Sequence, residues 1–335
     1  MADPYAVLAQ VEADDFAAAA ANVEPAIDYF LEHDRVAALR VVAALAGYWQ
    51  DAGRVDEGRA LTERAIKSMH RRATRDAAVA AAMPRALLAA SELAFRQGDQ
   101  QMAIKRARDT IRAAVLVEDY PTAALAHTDL ARVAYRAGNA ADIEKHARKA
   151  LEMAGDDSLA RRGALHMLAW AAHTAGDLDE AERRFEESLA YRRQHGSRLS
   201  VAVEIANLGD LAAERGDLGR AAAMLEEALA VGQEIDSRYM IVNTLPSVAA
   251  LAVRADMFAE GARLFGATDS IANAAGLVPD PNSDADEARG QARDHLGDAD
   301  FALELAGGGS LATDDAVALA LSVARRIEKS GLRGP

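Results

Sequence analysis

The chain has 335 residues, 51% of them hydrophobic and 5% aromatic, and a formal net charge of −14. It contains no cysteine, which excludes disulfides and thiolate chemistry and fits a cytoplasmic location. An alanine-rich, aromatic-poor composition suits a long helical array. The acidic balance argues against direct nucleic-acid binding, which needs a net basic face.

Residues 1–34 predict two short helices, VLAQVEADDFAAAAANV and PAIDYFLEH, the second opened by Pro25. This segment runs from Asp3 to Asp34 with eight acidic residues and neither Lys nor Arg. No basic segment followed by an apolar run precedes it, so no secretory signal is expected. The apolar run RVAALRVVAALAGYWQ is interrupted by Arg40, and no uninterrupted run is long enough for a membrane span.

From residue 35 to about 270 one pattern recurs, and its clearest copy is 161–189. Leu165, Leu168, Ala169 and Ala172 fall at spacings of three and four, on one face of a helix. Gly176 ends that helix, and Asp177 with Glu180 forms a capping-box pattern for the next. Ala181, Phe185 and Leu189 then recur every four residues, so the product is an antiparallel pair with an apolar side that needs neighbours. The turn position is filled in succession by Gly53, Gly98, Gly138, Gly176, Gly216 and Asp256, at intervals of 45, 40, 38, 40 and 40 residues. A small-residue slot precedes each turn, at Ala46, Ser91, Ala131, Ala169, Gly209 and Ala249. A second slot follows it, at Gly58, Ala103, Ile143, Ala181, Ala221 and Gly261.

These slots resemble the tetratricopeptide repeat (TPR), most closely in the fourth copy and then in the fifth, with Leu208-Gly209, Gly216, Ala221, Leu225 and Ala228. Ile143 replaces a small alanine, and the spacing exceeds the roughly 34 residues of the family, which implies longer helices or loops. The resemblance implies an all-α, TPR-like α-solenoid of about six antiparallel helix pairs over 35–270, with helical caps at 1–34 and 271–335.

After GLVPDPNSD three further helices are predicted, DEARGQARDHLG, DADFALELA and DDAVALALSVARRIEK, with a flexible GGGS between the last two. The stretch 280–315 is again acidic, so acid at both ends reads as polar capping of the array. ARLFGATDSI followed by DADFALELAGGGSLATDDAVALAL resembles the end of the TPR region in actinobacterial ATP-binding regulators of the LuxR and SARP types. AIDYFLEHDRVAALRVVAALAGYWQDAGRVDEGRALTERAI resembles the segment behind their nucleotide-binding and winged-helix portions. No phosphate loop of the form G-x-x-x-x-G-K-[ST] occurs, and no helix-turn-helix follows residue 327. The chain is therefore expected to correspond to the sensory solenoid of such a regulator, without its ATPase and DNA-binding parts.

In TPR proteins the first helix of each pair lines the concave groove, and the resemblance carries that register to specific residues. It implies Glu92, Phe95 and Arg96 in the second repeat, and Asp129, Arg132, Tyr135 and Arg136 in the third. The fourth contributes His166, Met167, Trp170 and His173, the fifth Asn207 and Asp210, and the sixth Asn243. His166, Trp170 and His173 share one helical face, where a tryptophan stacks on an apolar side chain while Arg132 and Arg136 hold a carboxylate. The alternative is that Trp170 fills space against a neighbouring hairpin. Asn207 either meets a ligand main chain or bonds its own repeat.

Metal binding is not expected. His166 and His173 stand about 10 Å apart along a helix. Asp280, Asn282 and Asp284 start a calcium-loop pattern that fails at Ala285 and Gln291. No G-x-S-x-G elbow or H-E-x-x-H motif supports an enzyme, and no cofactor is implied. The expected function is non-enzymatic and regulatory: a groove for a peptide, a protein segment or a small effector. A structural scaffold acting as a homo-oligomer is the rival, and an active site assembled in the groove is a remote one.

Overall fold

A computed structural model describes residues 3–12, 22–51, 54–69, 76–275, 277, 279 and 283–330. The regular structure among them is eighteen α-helices. They fall into two compact units, Met1–Asp177 and Leu178–Pro335.

The first unit contains α1 (Pro4–Glu12), α2 (Val23–His33), α3 (Arg35–Ala44), α4 (Ala46–Asp51), α5 (Val55–Met69), α6 (Ala77–Arg96), α7 (Gln100–Leu116), α8 (Tyr120–Arg136), α9 (Ala140–Ala154) and α10 (Ser158–Thr174). The first helix of repeat one is broken at Leu45 into α3 and α4, whereas a single helix was predicted. Val7, Leu8 and Val11 of α1 join Ile27, Phe30, Leu39, Val42 and Trp49 in one buried cluster, so α1 and α2 cover repeat one as expected. Part of the first predicted helix, 13–21, and the turn at Gly53 lie outside the described residues.

The hairpin turns follow from backbone chemistry. Gly98, Gly138 and Gly176 have φ of 77°, 65° and 79°, the left-handed conformation that glycine adopts without a Cβ penalty. At each, two amides return to the helix end: Gly98 N to Phe95 O, Asp99 N to Ala94 O, Gly138 N to Tyr135 O and Asn139 N to Ala134 O. Asp99 and Asn139 then cap the next helices, accepting from Met102 N and Asp142 N at 3.1 Å. The slot residues Ser91, Ala131 and Ala169 are buried, as are Ala103 and Ile143.

Among the described residues one helix is long and apolar enough to cross a membrane by length and composition, although Arg85 and Glu92 interrupt its apolar run. It is α6, with a mean hydropathy of 1.4 in its most apolar window. Its apolar residues serve the repeats: Ala86, Leu87, Ala90 and Leu93 are buried, and α6 packs against α3, α5, α7 and α8.

The second unit contains α11 (Leu178–His195), α12 (Arg198–Glu214), α13 (Leu218–Glu234), α14 (Arg238–Arg254), α15 (Phe258–Ala275), α16 (Ser283–Leu296), α17 (Asp298–Gly309) and α18 (Thr313–Ser330). Gly216 (φ 78°) and Asp256 (φ 59°) close its hairpin turns in the same way. The last three helices fold back on the repeats: α16 on α14 and α15, α17 on α15, and α18 on α13 and α14.

The expected flexible GGGS is corrected here, because Gly307, Gly308 and Gly309 complete α17. They let two backbones meet: a Cβ on Gly308 would strike the Arg263 carbonyl, and one on Gly266 would strike that of Leu305. Glycine serves as a contact surface between α15 and α17. The incipient calcium loop also gives way, since Asp284 lies in the first turn of α16 and accepts from Arg254 at 2.6 Å. Asp280 and Asn282 lie outside the described residues. The architecture is the expected all-α, TPR-like α-solenoid of helix pairs with helical caps.

Candidate functional site

Helices α6, α8 and α10 are the first members of the second, third and fourth pairs, with α8 packed against both others. They carry Phe95, Arg96, Asp129, Arg132, Tyr135, Arg136, His166, Trp170 and His173, all in the first unit. Asn207 and Asp210 stand on α12 in the second unit.

Trp170 is the centre of an aromatic group. Its ring lies 4.6 Å from that of Tyr135 at 49°, and 5.2 Å from that of His173, edge-on. Its indole Nε1 donates to His166 Nε2 at 3.1 Å. Trp170 and Tyr135 pack on the buried Ala131, Ile143, Ala147, Met167 and Ala171 while remaining half-buried themselves. Trp170 thus fills space between hairpins and still presents part of its ring.

The arginines divide by position. Arg96 Nε donates to Gln50 Oε1 at 2.9 Å. Arg136 stacks 3.6 Å above the Phe95 ring and donates to the Phe95 carbonyl at 2.8 Å. In the second unit Arg254 makes the matching bond to the Ala213 carbonyl. In each case the last turn of one inner helix sends a cation to the final turn of the preceding one, where carbonyls lack helical partners and the dipole is negative. The carboxylate expected between Arg132 and Arg136 therefore meets a different arrangement. Arg136 ties α8 to α6, and Arg132 leans toward Asp129 Oδ1 at 3.4 Å.

Asp129 is 4% exposed, and its Oδ2 is buried without a hydrogen-bond partner. Glu92, half-buried on α6, is close enough for the two charges to repel. Burial is the main cause that pushes Glu92 up to about 7, with the Asp129 charge next, while Arg132 and Arg96 oppose the shift. Burial likewise raises Asp129 to about 6 against Arg132, the nearby Ser91 hydroxyl, and Arg96. The register placed Glu92 on this face. Its pairing with Asp129, across 37 positions and two hairpins, left no mark in the sequence.

In the second unit burial pushes Asp210 up to about 7, countered by a hydrogen bond from Ser247 and by Arg254, and reinforced by Asp284. Asn207 donates to Glu204 Oε2 at 3.1 Å, within its own helix. Glu204 is fully buried and also accepts from Ser188 at 2.6 Å and pairs with Arg192 at 2.7 Å. Asn243 donates to Tyr239 O at 2.9 Å, again on its own helix. A further pair unseen in the sequence is His127 and His146, whose Nδ1 atoms lie 3.1 Å apart between α8 and α9. Burial, followed by the charges of His146 and Lys149, pushes His127 down to about 4. Among the described residues no group of three or more His, Asp or Glu side chains is arranged to hold a metal ion.

Residues 126–277 match the family model of the MalT-like TPR region. No curated protein matches the chain. Among solved structures it is similar to a Rap protein complexed with Competence and Sporulation Factor, at 15% identity and a TM-score of 0.58 over 98% of this chain and 96% of that one. Apo RapI gives 14% identity and a TM-score of 0.54 over 98% of each chain. BtubC (BKLC) from P. vanneervenii gives 21% and 0.51 over 68% of this chain and 95% of the other. With the repeat geometry described above, these likenesses support a TPR-type repeat fold.

Proposed function

We propose that the face formed by α6, α8 and α10 receives a short peptide or an exposed protein segment, and that the chain acts as a non-enzymatic regulatory module. The observation that carries this reading is the half-buried Trp170 with Tyr135, His166 and His173, together with Asp129 of α8, a buried carboxylate with one oxygen that lacks a hydrogen-bond partner. An amphipathic aromatic flanked by polar groups is the composition of a binding hot spot. The solved Rap protein complexed with Competence and Sporulation Factor supports a ligand-binding role for this architecture. The MalT-like match, together with the resemblance to LuxR- and SARP-type regulators, supports a setting in transcriptional control.

Only Trp49 and Trp170 absorb as indoles, and Trp49 is 1% exposed. In a Trp49→Phe variant, Trp170 therefore reports alone. Titration with a synthetic random hexapeptide library is expected to give a saturable emission shift that Tyr135→Ala removes. An unchanged spectrum, from a ring that acrylamide does not quench, overturns the reading.

A further inference from the structure

We infer that Glu92 and Asp129 form the seat for a cationic group of the ligand, an ammonium or guanidinium, set beside the Tyr135–Trp170 rings that take an apolar side chain. The inference rests on the proposed peptide-receiving face and names what that face recognises.

The seat is built rather than superficial. Asp129 Oδ2 is buried and lacks a donor, a costly state for a carboxylate oxygen. Its sister oxygen is 3.4 Å from Arg132, whose side chain is 44% exposed. The neighbouring Ser91 hydroxyl donates to the Ala103 carbonyl at 3.2 Å. The remaining charged neighbours are Glu92 and Arg96 on α6 and Arg132 on α8. On α10, which packs on α8, the titratable side chains of the face are His166 and His173, gathered around Trp170. Arg96 has Gln50 as a partner. Two carboxyls that repel each other in a dry site gain most from a donor that carries positive charge.

The proton balance follows. Near pH 6.5 the free pair is partly protonated, because burial holds both carboxyls above their usual range and the Asp129 charge adds to the shift of Glu92. A ligand cation that settles between them replaces the shared proton, which leaves to solvent, so the charge in the site is unchanged. Binding should therefore strengthen as pH rises from 5.5 to 7.5, by up to about tenfold per unit.

Geometry sets the ligand pattern. Asp129 and Tyr135 are six residues apart on α8, about 9 Å along the helix. An extended peptide advances about 3.3 Å per residue. The basic group and the apolar side chain should then be two or three residues apart.

The test is selection from a phage-displayed random heptapeptide library against the whole chain. Calorimetry of a selected peptide then follows, in phosphate and in ACES at pH 6.5. Enriched peptides are expected to carry Lys, Arg or a free amino terminus two or three residues from an aromatic or aliphatic side chain. Acetylation of the peptide terminus tells a terminal amine from a side chain. Binding should release close to one proton, and Glu92→Gln and Asp129→Asn should each weaken it at least tenfold. Both variants keep side-chain size, and circular dichroism verifies their helicity. Selected peptides that shift Trp170 emission but lack a basic group, exchange no proton and ignore both variants would overturn the cation seat and leave the peptide face standing. A library yielding no peptide that shifts Trp170 emission would remove the face, and the seat with it.

Discussion

Glu92 in the first unit and Asp210 in the second each follow the small-residue slot of an inner helix, and burial pushes both up to about 7. Their surroundings differ. Asp210 receives a hydrogen bond from Ser247, and its other charged neighbours, Arg254 and Asp284, are paired with each other at 2.6 Å. Asp284 comes from α16, a helix outside the repeats, so the second unit completes this polar site with its own chain. Glu92 faces a second acid, Asp129, which keeps an oxygen without a donor. The repeat places polar groups at equivalent points, and one residue on the next first-of-pair helix, Ser or Asp, decides whether the buried acid meets a donor or a second carboxyl.

The contrast can be broken most severely in the second unit, where helix caps cover the repeats. Gly308→Leu would force a side chain into the Arg263 backbone and should cost about 3 kcal/mol, seen as a lower denaturant midpoint and as lost amide protection in α17. A milder change sharpens it in the first unit. Glu92 and Asp129 have folded pKa values above their unfolded ones, so the folded state binds more protons between about pH 4 and pH 7. Stability from this pair is full below that window and falls as pH rises through it, by on the order of 1–2 kcal/mol from pH 5 to pH 8. Asp129→Asn should flatten much of that slope in urea unfolding series, and an unchanged slope would place the titration elsewhere. The smallest effect is expected of Arg136→Lys, which keeps the charge but loses the planar stack on Phe95. A loss of about 1 kcal/mol in thermal unfolding is the measure of that tie.

The hairpins were legible because turn chemistry is local: a glycine, an acidic or Asn cap and a small slot recur at nearly constant spacing. Glycine alone is ambiguous, which is why GGGS read as a flexible link and proved to be a helix crossing; the difference lies in Gly266 and Arg263, some forty residues away. The first-unit residues that the register assigned to a groove do fall on α6, α8 and α10, the first helices of their pairs. What individual side chains do there was not legible. Arg96 and Arg136 look like ligand-binding cations in sequence, yet their partners are the ends of preceding inner helices. The Glu92–Asp129 and His127–His146 pairs arise only once helices pack.

Positive φ is not confined to glycine in this chain. Glu118, Asp236 and Asp256 hold φ of 60°, 51° and 59° at helix ends, a conformation that costs an L-residue about 1–2 kcal/mol. Glu118 and Asp236 lie between one hairpin and the next, and each is followed at once by a capping residue, Asp119 or Ser237. At these two links a left-handed residue followed by a cap joins one hairpin to the next. For a gene that grows or shrinks by unequal exchange, such joints are points where a hairpin can be inserted or removed with only two backbone conformations to match. They also mark where an engineer would cut to transplant a hairpin into another array.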